Sequence, residues 1–381
     1  MTTHIPPYFV IPSGITVLKF GGTSMGRPES NNFRRLSEIV RTYRNAQRPL
    51  VVVCSAYEGE TNRLVAESAA LRHDDRQYDA HIAQGEITSS GDFATYLNGM
   101  GICATVMNRA DNLPVFAEGA HKEGVISRIN VKAVVESLNR GNVTVIPGFV
   151  ARNPAGDIIT IGRNGSDASA VEIGRALKAS VCLFKDVDGI YRADPRVIQN
   201  AEWFNEISFT DALAMAENGS KIVYSEALRL AMQAGFSIRI CPTFPRDGQP
   251  TGGTLIKNGL PQHLARRDFV GVTSKTITVP NGERFISITA VGRKVHALAS
   301  MWQESLKRSG IVLVSNAQNQ VVTRNSGGIQ ILLRHESQLQ KAMRVSYDLH
   351  YRADPAPINK ERTTARANLF PIPIRPVASL G

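Results

Sequence analysis

Short apolar runs alternate with amphipathic stretches between Thr16 and Ile256. Continuous apolar runs are typical of strands buried on both faces, whereas apolar residues spaced three or four apart indicate helices. An alternation of such strands and helices favours an α/β fold with a mainly parallel sheet and helices on both faces. The predicted strands lie at 17–20, 50–54, 143–149, 181–184 and 236–241, and predicted helices lie near 30–45, from about Asn62 and from Gly85.

A second, smaller pattern follows this region. Residues 257–269 lose the alternation and are predicted to form a linker. Beyond it the order is strand, strand, helix, strand, strand, helix, which predicts a small α+β domain. The strands are expected at 272–279, 285–291, 311–315 and 329–333, with helices at about 297–308 and 336–347.

The first strand runs directly into candidate phosphate chemistry. Lys19 lies near its end and is followed by Gly21, Gly22, Thr23 and Ser24. Glycines let backbone N–H groups approach an anion, and the two hydroxyls can cap the helix that follows. The motif G-x-x-x-x-G-K-[ST] does not occur in the chain, which argues against a P-loop NTPase. A tight turn with a solvated lysine is the alternative for this stretch.

Two later segments carry matching charges. Arg163, Ser166 and Asp167 precede or open a predicted helix that runs to Leu177, and the strand at 181–184 leads into an acidic turn. Ligands of open α/β sheets bind beyond the carboxyl ends of the strands. We therefore expect all three segments to meet at one edge of the sheet.

Composition narrows the class of protein. With 381 residues, 43% of them hydrophobic, the chain is expected to form two domains. The four cysteines form no C-x-x-C motif, so we expect reduced thiols and a cytoplasmic protein. No apolar run approaches about 18 residues and no signal-peptide pattern opens the chain, so no membrane association is expected. The net charge of +11 is dispersed and no nucleic-acid motif is present, which favours anionic small molecules over nucleic acid as partners.

The order and spacing of these motifs resemble the aspartate kinases of the amino-acid kinase family, over most of the chain. The matching segments are 19–24, 53–62, Gly85-Glu86, 162–167, 185–191, 194–196, 219–221 and 253–255. The resemblance implies an amino-acid kinase fold, an αβα sandwich around a mainly parallel sheet, followed by an ACT-like domain. The implied domains are a tail at 1–14, a catalytic domain at 15–256, the linker at 257–269, an ACT-like regulatory or dimerisation domain at 270–350 and a basic tail at 351–381.

The resemblance also implies a reaction and a set of roles. The γ-phosphoryl group of MgATP would pass to the side-chain carboxylate of L-aspartate and give 4-phospho-L-aspartate. Lys19 would neutralise the moving phosphoryl group, and Asp167 would hold Lys19; plain capping of the next helix is the alternative for Asp167. The implied substrate ligands are Ser55, Thr61, Glu86, Arg163 and Ser166. The implied nucleotide ligands are Lys19, Gly21, Gly22, Thr23, Ser24, Lys185, Asp186, Tyr191, Arg196 and Lys221. Mg²⁺ would arrive on the phosphates without a dedicated metal site.

Three positions depart from the family pattern. Asn164 replaces a glycine, and Lys185 occupies a place more often held by a small hydroxyl residue. Glu58 and Glu60 enter a loop that is nearly neutral in the family; a carboxylate pointing inward there would repel aspartate and favour another acceptor. The hypotheses are therefore an aspartate kinase, a kinase of the same mechanism with a different carboxylate acceptor, and a non-catalytic amino-acid or nucleotide sensor. The single ACT-like domain is expected to pair as a homodimer, with or without a feedback effector.

Overall fold

A computed structural model describes residues 11–27, 29–72, 74–162, 165–244, 253–259, 268–279, 281–315, 322–325 and 327–353. These residues form two compact units. The first unit comprises the described residues of Met1–Asp188 and Ile238–Gly252, and the second comprises those of Gly189–Ser237 and Gly253–Arg366. Each predicted domain is one continuous stretch of sequence, whereas each unit combines separate stretches. The predicted domain boundaries stay a prediction.

The strands and helices have the following bounds. The strands are β1 (Thr16–Phe20), β2 (Leu50–Cys54), β3 (Ala104–Val106), β4 (Val115–Glu118), β5 (Val125–Ile129), β6 (Val143–Pro147), β7 (Val150–Arg152), β8 (Ile158–Thr160), β9 (Ser180–Lys185), β10 (Glu206–Ser208), β11 (Ile238–Pro242), β12 (Thr254–Lys257), β13 (Gly271–Thr278), β14 (Arg284–Val291), β15 (Leu313–Val314), β16 (Thr323–Asn325) and β17 (Gly328–Leu333). The α-helices are α1 (Gly22–Met25), α2 (Asn32–Asn45), α3 (Glu60–Ala70), α4 (Asp75–Gly99), α5 (Val131–Asn139), α6 (Gly165–Leu177), α7 (Phe209–Glu217), α8 (Ser225–Ala234), α9 (Ala299–Arg308) and α10 (Leu339–Arg352).

The parallel sheet of the first unit is confirmed. Within this unit its strands run in the order β11-β9-β1-β2-β6-β3, and every neighbouring pair is parallel. Strands β1, β2 and β6 are buried along their whole length, as expected for strands covered on both faces. Because β1 lies between β9 and β2, the carboxyl end of the strand that carries Lys19 lies in the middle of the sheet.

A second, four-stranded sheet in the first unit has the order β5-β4-β7-β8. One of its faces is packed against the interior, where Val115, Ala117, Ala151 and Ile159 are fully buried. The other face carries the alternate residues of the same strands, of which Val150 and Thr160 are also buried.

In the second unit, a mostly antiparallel sheet orders its strands β13-β14-β17-β15, and β16 also pairs with β17. Trp302 of α9 and Ala342, Met343 and Tyr347 of α10 pack into its hydrophobic core. The strand β10 pairs in parallel with β12 in the same unit. The α+β pattern expected after residue 270 is thus present, with β16 as a strand that the sequence did not predict.

Two predictions about elements are wrong. Gly85 does not open a helix, because α4 begins at Asp75 and is capped by Asp74, whose carboxylate accepts the Gln77 N–H in a capping box. Gly85 lies inside the helix, where a Cβ would lie 3.0 Å from the Cβ of Ala56, so a larger residue would require its neighbours to shift. The strand expected to reach Phe149 ends at Pro147, since Phe149 has a φ of 59°.

The linker stays a prediction. Its first residue, Lys257, is the last residue of β12. The remainder includes 260–267, which lie outside the described residues.

Among the residues that are described, no helix combines the length and apolar character needed to cross a membrane.

Candidate active site

Lys19 lies near the carboxyl end of β1 and is almost completely buried. Its side chain is flanked by both neighbouring strands, with Leu183 of β9 and Val53 of β2 in register beside it. Only 5% of the residue is exposed. The Lys19 Nζ atom lies 3.6 Å from the place where a Cβ of Gly21 would be, so the ammonium group faces the glycine turn.

Asp167 joins two lysines. Its Oδ1 lies 2.8 Å from Lys19 Nζ, and its Oδ2 lies 2.7 Å from Lys185 Nζ. All three side chains are largely buried. The exposed fraction of the side chain is 6% for Lys19, 4% for Asp167 and 16% for Lys185. Since β9 pairs with β1 and Lys185 follows Phe184 at its end, the two lysines approach the carboxylate from adjacent strands.

The electrostatics of this cluster follow from burial and from its two cations. Burial opposes ionisation of Asp167, but the ammonium groups of Lys185 and Lys19 outweigh it and hold the pKa of that carboxyl far below its usual range. Burial lowers the pKa of Lys185, and the nearby Lys19 charge lowers it further. The cluster therefore contains one ionised carboxylate and two cationic sites, and it is arranged to attract an anion.

Close packing beneath α6 positions Asp167. A Cβ at Gly148, just after β6, would lie 2.6 Å from the Cβ of Ser166, so the helix start rests directly on the strand end. The Ser169 hydroxyl accepts a 3.0 Å hydrogen bond from the Phe149 N–H in the same place. Helix α6 begins at Gly165, and Asp167 lies in its first turn with its carboxylate turned to the lysines. The predicted segment before it follows β8 of the four-stranded sheet rather than a strand of the parallel sheet.

Glu86 lies on α4 beside the start of α6. Its Oε1 accepts a 2.8 Å hydrogen bond from the Ser166 hydroxyl, and both residues are buried. Burial raises the pKa of Glu86 to about 8, although the Ser166 hydroxyl and the Lys19 charge lower it in part. Among the described residues nothing hydrogen-bonds to its second oxygen, Oε2, which is buried. A cationic group of a ligand would find an acceptor there.

A buried carboxylate two turns earlier on the same helix anchors α4. Asp79 is fully buried and accepts hydrogen bonds from His121 Nδ1 at 2.8 Å, from the Lys122 N–H at 2.9 Å and from the Thr160 hydroxyl at 2.5 Å. Thr160 ends β8, five residues before α6 begins. Asp79 thus ties the helix that carries Glu86 to the strand that leads to Ser166 and Asp167.

The glycine turn differs in detail from its prediction. Gly21 precedes α1 without any side-chain cap, so the expected capping by Thr23 or Ser24 is wrong. Gly22 contacts the backbone of the loop after β2, with the Ala56 carbonyl oxygen 3.4 Å from where a Cβ of Gly22 would be. Ser24 is fully buried, with its hydroxyl 2.6 Å from Thr243 Oγ1, while Thr23 is exposed.

The loop after β2 lies against α4. The Ser55 N–H donates to the Phe20 carbonyl, and the Ser89 hydroxyl of α4 donates to the Ser55 carbonyl at 2.7 Å. Thr61 is partly exposed in the first turn of α3. In the same loop Glu58 is exposed, and Glu60 forms an ion pair with Arg63 at 2.8 Å.

Comparison with known proteins agrees with this arrangement. A family model described as amino acid kinase family matches residues 14–242. The chain belongs to the amino acid kinase family. An aspartate kinase of Pseudomonas fluorescens (strain SBW25) is 35% identical over 247 residues, which is 64% of this chain and 58% of that protein. The chain thus spans under two thirds of the length of such curated relatives.

Solved structures show the same fold. A Clostridium acetobutylicum aspartate kinase superposes with a TM-score of 0.63 at 16% identity, covering 89% of this chain and 100% of that one. E. coli aspartokinase III in complex with aspartate and ADP superposes with a TM-score of 0.59 at 22% identity, covering 84% and 79%. At such identities the likeness concerns the fold.

In this member of the amino acid kinase family the structure brings only part of the predicted site together. Lys19, Gly21, Glu86, Ser166 and Asp167 form one connected cluster in the first unit. Arg163 and Asn164 lie outside the described residues, so the arginine stays a predicted carboxylate ligand. Asp186, also in the first unit, is exposed.

The remaining predicted nucleotide ligands belong to the second unit. Tyr191 is 7% exposed and packs edge-on against Trp203 at 6.2 Å. Arg196 is exposed and forms an ion pair with Asp194 at 2.8 Å, and Lys221 is exposed. Their proposed contacts with a nucleotide stay predictions.

Two features of the site were missed from the sequence. The predicted nucleotide role of Lys185 does not include its ion pair to Asp167, and nothing in the sequence marks Thr243 as the partner of Ser24. The only signal for Lys185 was its position at the end of a buried strand. Thr243 follows β11, a strand next to β9, and only the sheet order reveals that relation.

Proposed function

We propose that this amino acid kinase transfers the γ-phosphoryl group of ATP to the side-chain carboxylate of L-aspartate. The observation that carries the proposal is the buried ion pair of Lys19 and Asp167 beside Gly21 at the carboxyl end of the central strand. The curated relative at 35% identity is named an aspartate kinase. Formation of 4-phospho-L-aspartate follows as the product.

In the proposed step, a carboxylate oxygen of aspartate forms a bond to the γ-phosphorus. The bond from that phosphorus to the oxygen shared with the β-phosphate breaks, and ADP leaves with the electron pair. A carboxylate is already a nucleophile, so no proton has to be removed. Catalysis then requires that the carboxylate and the γ-phosphoryl group be positioned, and that the charge on the phosphoryl oxygens be stabilised. Lys19 would supply that charge, and Asp167 would fix its position.

The acceptor would be held by the helix starts around Ser166. Glu86 Oε2 would accept the α-ammonium group of the amino acid, and Arg163 would bind a carboxylate. Ser55 and Thr61 would supply further hydrogen bonds. Because Glu58 is exposed and Glu60 is paired with Arg63, neither places an uncompensated negative charge against a dicarboxylate. That arrangement favours aspartate over an acceptor with an extra amine.

In this scheme Mg²⁺ would bind together with the nucleotide. Among the described residues, no three His, Cys, Asp or Glu side chains cluster in a way that could hold a metal ion. Mg²⁺ prefers phosphate oxygens and retains several waters. When bound it would neutralise part of the triphosphate charge, and the protein residues would do the positioning. A homodimer formed through the ACT-like region is proposed on the resemblance alone.

Hydroxamate formation tests the proposal directly. Hydroxylamine traps an acyl phosphate, so purified protein is incubated with MgATP, hydroxylamine and a panel of L-aspartate, L-glutamate, N-acetyl-L-glutamate and L-asparagine. A signal with L-aspartate that disappears without ATP supports the proposal. A signal with another acid alone would mean that this acid, and not L-aspartate, is the acceptor. No signal with any of the four compounds would refute the assignment as a carboxylate kinase and favour the non-catalytic sensor.

A further inference from the structure

One face of the four-stranded sheet carries a row of three side chains across neighbouring strands. Phe116 of β4 stands directly opposite Arg128 of β5 on one side and opposite Arg152 of β7 on the other. Residues in register on adjacent strands project from the same face. The packed residues Val115 and Ala117 occupy the other face, whereas Arg128 is exposed and Phe116 and Arg152 are partly exposed.

The two guanidinium groups cover the ring of Phe116. The Cζ atom of Arg128 lies 3.8 Å from the ring centroid, and that of Arg152 lies 4.3 Å from it. Such contacts favour a cation over an aromatic face and restrict both arginine side chains. The fork of N–H donors on each arginine is therefore held near a fixed place.

A cavity of about 370 Å³ adjoins this row. Phe116, Arg128 and Arg152 line it together with Glu118 and the β7–β8 turn at 153–156. The lining has two cationic side chains and one acidic side chain. Its volume suits a small metabolite and lies within the range of ordinary ligand sites.

The charges of the cavity are not neutralised within the described part of the protein. Arg128 forms no ion pair or hydrogen bond there, and its guanidinium group lies over the ring of Phe116. Arg152 donates from Nη1 to the Ala110 carbonyl at 2.9 Å, while its buried Nε has no acceptor among the described residues. Bringing two guanidinium groups to one ring costs Coulomb energy that an anion would offset.

We propose that this cavity is a binding site for a small oxyanion, the phosphate or carboxylate group of a hydroxylated metabolite. Guanidinium forks match both groups in a bidentate manner. Glu118 would accept a hydrogen bond from a hydroxyl of the same ligand. The site uses none of the residues of the proposed kinase centre.

Calorimetric titration of the whole chain tests the site. Glycerol 3-phosphate and glycerate are the probes, because they share hydroxyl groups and differ in the oxyanion, and glycerol is the neutral control. The protein is saturated with MgADP and the ionic strength is held constant, so that the nucleotide site does not capture the probes. One of the two probes should bind saturably with a dissociation constant of roughly millimolar order.

Variants then assign the binding to the cavity. Arg128→Met should weaken it about tenfold or more, since a charge-assisted contact is lost without breaking any hydrogen bond of the fold. Arg152→Met should do the same, and Arg128→Lys should fall between. Arg140→Met, at an exposed position after α5, is the matched control and should leave binding unchanged.

The binding assay requires no turnover, so its result stands apart from that of the kinase assay. Preference for glycerol 3-phosphate identifies a phosphate ligand, and preference for glycerate identifies a carboxylate ligand. Absence of saturable binding by both probes up to about 10 mM would overturn the proposal, given the affinity expected of two such contacts. Equal binding by wild type and Arg128→Met would also overturn it.

Discussion

Lys185 donates to the same carboxylate, that of Asp167, to which Lys19 is paired, with 2.7 Å between Lys185 Nζ and Asp167 Oδ2. Asp167 therefore forms ion pairs with two ammonium groups that belong to neighbouring strands. Removing one lysine leaves the carboxylate ionised and held by the other. The two cations can accordingly be tested separately.

Loss of each lysine should lower turnover to a different extent. Lys19→Met should reduce kcat on the order of 10²- to 10³-fold, because a preorganised cation at the transferred group is lost. Lys185→Met should have a smaller effect, since Lys19 and its anchor Asp167 remain. Steady-state ADP release with L-aspartate measures both values. Lys132→Met, at an exposed position of α5, is the control, and an unchanged kcat in Lys19→Met would refute the role assigned to Lys19.

The response of acceptor binding to pH should depend on Glu86. In the free protein the pKa of Glu86 is about 8, so the carboxyl is largely neutral at lower pH and becomes a better acceptor for an ammonium group as pH rises. We expect kcat/KM for aspartate to rise between about pH 6.5 and 8.5. Glu86→Gln should flatten this rise and approach wild-type values only at the acidic end.

The control for that profile is Glu136→Gln, which removes an exposed carboxylate on α5. Its profile should follow that of the wild type. Parallel profiles for wild type and Glu86→Gln would mean that another group produces the pH dependence.

Gly148 should tolerate no side chain. A methyl group there would lie 2.6 Å from the Cβ of Ser166 and would push the start of α6 away from the sheet. Gly148→Ala should lower kcat/KM at least about tenfold and destabilise the fold by about 1 to 3 kcal/mol. Gly99→Ala is a suitable comparison, because no atom lies within 4 Å of the added group. Equal activity of the two variants would show that the approach at Gly148 can relax.

His350 should make the second unit sensitive to acid. It is fully buried between Phe269 and Trp302, and neither ring nitrogen has a hydrogen-bond partner among the described residues. Burial lowers its pKa to about 4, below the usual value near 6.5. A depressed pKa favours the neutral ring in the folded state, so this stability is complete above about pH 6.5 and is lost as pH falls toward 4. The full loss is about 3 kcal/mol.

Denaturant unfolding between pH 7 and pH 4.5 measures this dependence. His350→Phe retains an aromatic ring without titrating, so its stability should change less over that range, whatever its absolute value. His335→Gln, at an exposed position, should keep the wild-type slope. Identical slopes for wild type and His350→Phe would exclude His350 as the source.

Prediction from sequence worked where local pattern and chemistry coincide. Lys19 ends an apolar run, and Asp167 opens a helix, so both could be placed at an edge of the sheet from the chain alone. Gly85 was misplaced because its role is set by the approach of Ala56, which no local pattern records. The pairing of Lys185 with Asp167 depends on the order of β9 and β1, which the sequence does not specify.

The oxyanion cavity was missed for a related reason. Phe116, Arg128 and Arg152 lie on three separate strands, and their row exists only through the registers of β4 with β5 and β7. Nothing in their spacing along the chain distinguishes them from ordinary surface residues. Burial of the Glu86 carboxyl is similarly a property of packing around α4 and α6.

The spacing between Asp79 and Glu86 on α4 constrains how this protein can change in length. Seven residues make nearly two full helical turns, so both carboxylates project from the same side of the helix. An insertion of one residue between them would rotate Glu86 by about 100° and advance it by about 1.5 Å. Glu86 would then lose its hydrogen bond from the Ser166 hydroxyl, while Asp79 would retain its hydrogen bond from the Thr160 hydroxyl. Insertions and deletions in this short stretch of helix should therefore be far less acceptable than those in the exposed turn at 140–141.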